Sequence, residues 1–212
     1  QQFLAKKADA EETPPDWCYV NNFSQAHKPH ALKLPSGKGV KLKHDMELLV
    51  EELKVSIPAA FDSDEYRAKA EEIQEEYNNR QEAVFKELGD KAEKQGIALL
   101  RTPSGFAFAP MKNGEVINPD DYEKLADDEK QRLELVISDL QEELQKVIRQ
   151  FPLWRKERRE KIKLLTRSFT LSAVSHLIAE LTEKYADLPE VVNYLEAVKQ
   201  DVLDNDNDFR KQ

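Results

Sequence analysis

The sequence predicts a mostly α-helical protein: a long antiparallel helical hairpin, or coiled-coil-like arm, with a small β-hairpin or three-stranded element at its tip. Charged residues make up 34% of the 212 residues, and only six glycines interrupt the chain. This composition is typical of long helices and coiled coils. Between the two longest helical stretches, the apolar spacing changes to that of β-strands over residues 97–117. The order of these segments predicts two helices joined through a β tip.

The first half of the predicted arm is a helix over residues 64–95. Ser63 is a suitable N-cap, acidic residues follow it in the first turn, and Gly96 is a suitable C-terminal stop. The apolar positions recur at nearly heptad spacing: Tyr66, Ala70, Ile73, Tyr77, Val84, Leu88 and Ala92. An earlier helix is predicted to begin near Asp45 and to end at Pro58, because proline disrupts a helix interior.

The β element is predicted from its turns. Residues 97–102 and 106–110 flank the turn sequence Pro103-Ser104-Gly105, which indicates a hairpin. Asn113-Gly114 supplies a second tight turn before a short third strand at 115–117. Asn118 or Asp120 is then expected to cap a short helix.

The second half of the arm has the most regular apolar pattern in the chain. Spacings of four and three residues alternate through Leu133, Ile137, Leu140, Leu144, Val147, Phe151 and Trp154. This a/d repeat predicts a seam that packs against another helix. Pro152 lies within the seam, so the helix must kink or restart there. Since neither long helix can bury its stripe alone, we expect the two to pair antiparallel.

The chain is expected to divide into three regions. Residues 1–43 are predicted as an edge strand and loop, with a short helical end at 3–11, a buried strand at 17–20 and irregular chain over 28–44. Residues 44–187 form the helical arm, with the β tip at 97–117. Residues 188–212 form a C-terminal helix, which starts beside Pro189, and a polar tail that is expected to fray.

No complete catalytic, cofactor or metal site is predicted on the chain. The segment Pro35-Ser36-Gly37-Lys38-Gly39 lacks the first glycine and the final hydroxyl of a phosphate-binding loop, so we interpret it as a turn. Pro29 prevents His27 and His30 from sharing a metal on one helix. With a single cysteine, Cys18, and no apolar segment of about 20 residues, the protein is expected to be cytoplasmic, without membrane contact.

Two basic segments contrast with the net charge of −9, which itself argues against a general nucleic-acid binder. Residues 28–43 hold five lysines and no acidic residue, and residues 155–167 hold seven basic and two acidic residues. The seven are Arg155, Lys156, Arg158, Arg159, Lys161, Lys163 and Arg167. They are candidates to contact nucleic acid or an acidic partner. The alternative is a solvated helix face that pairs with the acidic helix opposite.

Several blocks of sequence occur in an order that resembles a known family. They read DWCYVNNF from position 16, PHALKLPSGKG from 29, DM from 45, IPAAFDSDEY from 57, TPSGF from 102 and YADLPEVV from 185. Together they resemble the Lon-related AAA+ ATP-dependent proteases, in the branch called protease La or Lon-B-like, over residues 16 to about 202.

The resemblance implies a non-catalytic fragment of a serine endopeptidase that uses ATP and Mg²⁺. The Walker A loop would precede Gln1, and the Walker B strand, arginine finger and Ser-Lys dyad would follow Gln212. The strand at 17–20 would join the ATPase sheet, and the arm would be an insertion near the entrance of a hexameric ring. None of the family's catalytic residues maps onto this chain. The implied partners are other subunits of the ring and unfolded protein substrates.

An apolar tip near that entrance would contribute substrate recognition or gating. Phe106, Phe108 and Met111 are the candidate contacts, because exposed apolar clusters mark interaction sites. Three alternatives remain open at this stage. The tip packs only on its own arm, the arm is a scaffold that self-associates through the seam at 133–154, or the basic segment contacts DNA.

Overall fold

The computed structural model describes residues 13–103 and 105–210, and within them the chain is mostly helical with small antiparallel sheets, as predicted. The strands are β1 (Asp16–Val20), β2 (His30–Leu34), β3 (Ile97–Thr102), β4 (Gly105–Lys112) and β5 (Glu115–Val116). The helices are α1 (Lys38–Asp62), α2 (Asp64–Glu93), α3 (Pro119–Glu123), α4 (Asp127–Ile148), α5 (Phe151–Lys184), α6 (Pro189–Asp204) and α7 (Asn207–Arg210). None of these helices is long and apolar enough to cross a membrane.

The chain divides into two compact units, and α2 and α5 contribute residues to both. Unit 1 comprises Gln1–Ala68 and Leu164–Gln212, and unit 2 comprises Lys69–Lys163. In unit 1, β1 and β2 form an antiparallel pair, and α1, α5 and α6 bury a common core. The largest fully buried side chains there include Leu32, Leu53, Ile57, Tyr185 and Leu195.

The start of unit 1 differs from the sequence prediction in two respects. The strand at 17–20 was expected to be buried, but Trp17 and Tyr19 are exposed and only the alternate residues face the core. The predicted irregular segment 28–44 instead contains β2 and the first turns of α1. Gly37, with φ of 79°, makes the turn between them, and α1 therefore begins at Lys38, ahead of Asp45. The predicted helical end at 3–11 lies outside the described residues.

Helix α1 also continues through Pro58, so the prediction that it ends there was wrong. A proline inside a helix costs about 3 kcal/mol, because it removes one hydrogen bond and crowds the preceding turn. Ile57 is fully buried and Phe61 packs on the same core, so burial on both sides of the proline offsets that cost.

The C-terminal tail shows the same effect of packing. The prediction that it frays was wrong over α7, where Phe209 packs against the core of unit 1.

In unit 2, α2 runs antiparallel to α4 and α5. As the residue numbers along α2 rise, those of the contacting residues fall: Gln74 contacts Arg158, Arg80 contacts Glu157, and Lys91 contacts Glu143. The apolar cluster between these helices and the sheet contains Leu88, Ala92, Ile97, Leu133, Leu140 and Leu144. Strands β3, β4 and β5 form an antiparallel sheet in that order, which confirms the predicted β element. Ser63 accepts a hydrogen bond from the Tyr66 N–H at 3.2 Å, as its predicted capping role requires.

The seam breaks at Pro152, as predicted. Helix α4 ends at Ile148, and α5 restarts at Phe151 after a two-residue turn. The N–H groups of Leu153 and Trp154 both donate to the Gln150 carbonyl, at 3.0 and 3.1 Å. Pro152 therefore lies in the first turn of α5, where its missing N–H would have no helical partner in any case.

We expect Pro152→Ala to lower the free energy of unfolding by only about 0.4–1 kcal/mol. The folded geometry suits proline, so the loss comes from the greater conformational entropy of the unfolded chain. Urea unfolding followed by circular dichroism measures it. A loss of about 3 kcal/mol or more would contradict this placement of the residue.

Candidate functional site

The inner face of the β tip packs on its own helices. Phe106 and Phe108 project from β4 toward the apolar cluster of unit 2, together with Ile97 and Leu99 of β3. The Phe106 ring stacks on Phe85 of α2, with centroids 4.1 Å apart. Both candidate phenylalanines are half-buried, so their first role is to hold the sheet against the helices.

The outer face of the same sheet is apolar except at its Thr102–Gly105 end. Side chains of directly opposed residues point to the same face of a sheet, and the register therefore defines this face. Its apolar residues are Ala98, Leu100, Ala107, Ala109, Met111 and Val116, and Thr102 and Gly105 end the face at the hairpin turn. Leu100 and Val116 are among the exposed large apolar residues of the chain. Of the three predicted contacts, Met111 alone lies on this face, where it pairs with Val116.

Sequence reasoning missed Leu100 and Val116, although the signal was present. Alternate residues of a strand point to opposite faces, so Met111 cannot share a face with Phe106 and Phe108. A sheet that faces water on one side normally shows polar residues there. The absence of polar residues at 98, 100, 107 and 109 was therefore the informative feature.

The basic segment is only partly available to a partner. Four of its seven basic side chains are hydrogen-bonded within the described residues: Arg155 to Tyr77, Arg158 to Gln74, Lys161 to Glu76 and Arg167 to Asp204. Lys156, Arg159 and Lys163 have no ion-pair partner in the described part of the chain. Much of the segment therefore pairs with the chain's own polar and acidic side chains, the alternative that the sequence left open.

The turn at residues 35–39 leads from β2 into the start of α1, where helix N–H groups would attract an anion. A carboxylate already occupies that position: the Gly39 N–H donates to Asp16 Oδ2 at 2.8 Å. Glycine is required there, because a Cβ would lie 2.9 Å from Cys18 Sγ. The negative charge of Asp16 disfavours a phosphate at this turn. Burial raises the pKa of the Cys18 thiol, and the charge of Asp16 raises it further.

A buried polar network in unit 1 was not predicted from the sequence. Asp45 of α1 accepts hydrogen bonds from Lys184 Nζ at 2.8 Å and from the Tyr185 hydroxyl at 2.6 Å. Burial alone would raise the pKa of Asp45, but these hydrogen bonds and the charge of Lys184 outweigh it and lower the pKa. Burial, together with Asp45, raises the pKa of Tyr185. The network joins two helices and lies away from the β tip in sequence, so we assign it a structural role.

Comparison with known proteins gives one family. Residues 16–49 match the family model of the Lon-like LonC helical domain. The match covers β1, β2 and the first half of α1, all within unit 1. A search of curated proteins gives no match. The family match supports a relationship between this part of the chain and Lon-like proteases.

Proposed function

We propose that the chain is a non-catalytic part of a Lon-like ATP-dependent serine protease and that it binds unfolded polypeptide for degradation. The observation that carries the proposal is the apolar outer face of the β3–β5 sheet, centred on Leu100, Met111 and Val116. The family match at residues 16–49 supports the protease relationship.

The chemistry of this face suits an unfolded chain. Unfolded polypeptides expose the apolar side chains that folded proteins bury, and removing that surface from water is favourable by about 25 cal/mol per Å². The centre of the face has only small side chains, those of Ala98, Ala107 and Ala109, so an extended chain can approach the sheet closely. Met111 has a flexible, polarisable side chain that adapts to different apolar partners.

The remaining functions of the protease belong, in this proposal, to other parts of the protein. ATP and Mg²⁺ would bind at an AAA+ site outside these residues, and the Ser-Lys dyad would cleave the substrate elsewhere. The arm would be an insertion that receives substrate beside the other subunits of a hexameric ring. Recognition and gating remain the two ways in which a tip of this kind would act.

Two alternatives have weaker support. DNA binding through residues 155–167 would depend mainly on Lys156, Arg159 and Lys163, because the other four basic side chains are already bonded. Self-association through the seam is disfavoured, since Leu133, Leu140, Leu144 and Trp154 are buried within the chain itself.

We expect Leu100→Lys to weaken binding of an unfolded protein about tenfold, because a charge replaces an apolar contact worth about 1.4 kcal/mol. Fluorescence anisotropy with a labelled, reduced and alkylated protein that cannot refold measures the affinity. The matched control is Leu135→Lys, which places the same charge on an exposed position of α4 in the same unit.

Binding by the wild-type chain that resists moderate salt, with loss in Leu100→Lys alone, would support the proposal. Equal losses in the two variants would mean that the added charge acts non-specifically and would overturn the role of the sheet. Binding of a DNA duplex that falls steeply with salt, without binding of the unfolded protein, would favour the nucleic-acid alternative.

A further inference from the structure

The two-residue turn between β4 and β5 is formed by Asn113 and Gly114. Their φ angles are 54° and 86°, both in the left-handed region, as a type I′ hairpin turn requires. The turn holds the two strands in the register that places Met111 opposite Val116. Asparagine is thermally labile, and Asn113 is the only asparagine of the sequence that is followed by glycine.

The reactive groups of this turn are free to meet. Neither the Asn113 side chain nor the Gly114 N–H has a hydrogen-bond partner among the described residues. Both residues are exposed, and a Cβ placed on Gly114 would meet no atom of the described chain within 4 Å. The Asn113 amide can therefore rotate toward the Gly114 nitrogen without losing a contact.

The other asparagines lack this combination. Asn118 donates to Asp121 Oδ2 and accepts from the Asp121 N–H, both at 2.9 Å, and it precedes a proline, which has no N–H. Asn205 donates to Asp201 Oδ1 at 2.9 Å. Such hydrogen bonds hold the side-chain amide away from the next backbone nitrogen, so these residues should react slowly.

We propose that Asn113 and Gly114 form a site of spontaneous deamidation that releases β5 from the sheet. The Gly114 nitrogen, after losing its proton to hydroxide, attacks Cγ of Asn113 and closes a succinimide ring. The C–N bond of the side-chain amide breaks, and its nitrogen leaves as ammonia. Water then opens the ring at either carbonyl, which gives aspartate or isoaspartate at position 113. The reaction is neither an oxidation nor a reduction, and water is its only co-reactant.

Isoaspartate changes the main chain itself. Its backbone continues through the side-chain carbonyl, so the turn becomes longer by one CH₂ group. A two-residue turn fixes the register of the strands that it joins, and the longer turn cannot keep that register. Strand β5 is two residues long, and beyond it the Ile117 N–H donates to the Pro110 carbonyl at 2.8 Å. We expect this short pairing to open.

Opening of the pairing removes Val116 from the outer face of the β3–β5 sheet. Val116 is 45% exposed and lies opposite Met111 on that face, so the isoaspartate form loses part of the apolar surface. The aspartate product keeps the main chain unchanged, because Asp-Gly also suits a type I′ turn. The modification is independent of the proposed function, and only its effect on polypeptide binding rests on that function.

Peptide mapping by mass spectrometry tests the modification. The chain is incubated at pH 8, and electron-based fragmentation distinguishes aspartate from isoaspartate. Position 113 should convert about tenfold faster than any other asparagine, because only glycine has no Cβ to obstruct the attack. Conversion of Asn113 no faster than that of Asn205 would overturn the proposal.

Amide exchange tests the structural consequence without a binding partner. In the isoaspartate form, isolated by chromatography, the Ile117 amide should exchange about tenfold faster than in the fresh chain, because local opening exposes it to water. Asn113→Gly is the matched control, since Gly-Gly suits the same turn and has no amide to lose, so incubation should leave its Ile117 exchange unchanged. Unchanged exchange at Ile117 in the isoaspartate form would refute the release of β5.

Binding of the labelled unfolded protein separates this inference from the proposed function. The isoaspartate form should bind about tenfold more weakly than the fresh chain, whereas Asn113→Asp, which adds the charge alone, should bind like the fresh chain. Equal losses in both would assign the effect to charge and overturn the role of isoaspartate. If the fresh chain binds no unfolded protein while Ile117 exchange still rises, the proposed function fails and the inference stands.

Discussion

Trp154→Ala is expected to lower the free energy of unfolding of unit 2 by about 3–5 kcal/mol, the range for truncating a large buried aromatic residue. The side chain is only 5% exposed. The centroids of its ring and the Phe151 ring are 5.4 Å apart. The guanidinium carbon of Arg80, in α2, lies 4.4 Å from the centroid of the Trp154 ring. The substitution therefore leaves a cavity, removes a cation–π contact and exposes the start of α5.

The measurement is urea unfolding with amide exchange of residues 69–93 and 151–163 as the readout, because these parts of α2 and α5 belong to unit 2. Leu153→Ala is the matched control, because the neighbouring leucine is 61% exposed and should change stability by no more than about 0.5 kcal/mol. Similar effects of the two substitutions on stability would contradict the burial of Trp154 in the seam. Residues of α2 and α4 pack against the β3–β5 sheet. Near the thermal unfolding midpoint of the Trp154→Ala variant, we therefore also expect weaker binding of unfolded protein.

The elements that the sequence predicted correctly are those with a local signal. Ser63, Gly96 and Asn113-Gly114 act through side-chain capping and left-handed backbone geometry, which need no distant partner. The regular seam from Leu133 to Trp154 needed only a facing helix. The break at Pro152 follows from the chemistry of proline itself.

The elements that were predicted wrongly depend on distant packing. Pro58 remains helical because Ile57 and Phe61 reach a core that α5 and α6 complete more than 100 residues later in the chain. The packing of β1 against the start of α1 is likewise invisible in the sequence. It includes the hydrogen bond from the Gly39 N–H to Asp16 and the close approach of Cys18, neither of which has a periodic signature.

We expect Asp45→Leu to cost about 3 kcal/mol of unit 1 stability at pH 7, mainly because it leaves the buried Tyr185 hydroxyl without an acceptor. Tyr185 is only 2% exposed, whereas the Lys184 side chain is 54% exposed and can be solvated. Most of the loss should therefore come from the Tyr185 hydroxyl. A Tyr185→Phe partner substitution tests this, since the double variant should lose less than the sum of the two single variants.

The charge of Asp45 also predicts the direction of a pH effect. Its pKa is lowered in the folded state, so its ionised form contributes stability that is present above the unfolded pKa of about 3.9 and is lost as pH falls through the folded value. Asp45→Asn keeps an acceptor for Tyr185 but has no charge to lose. The stability difference between the wild type and Asp45→Asn should therefore be constant from pH 7 to 5 and shrink below pH 4. Urea midpoints at pH 7, 5 and 3 measure it, and a difference that grows on acidification would reverse the sign and refute the role of the carboxylate.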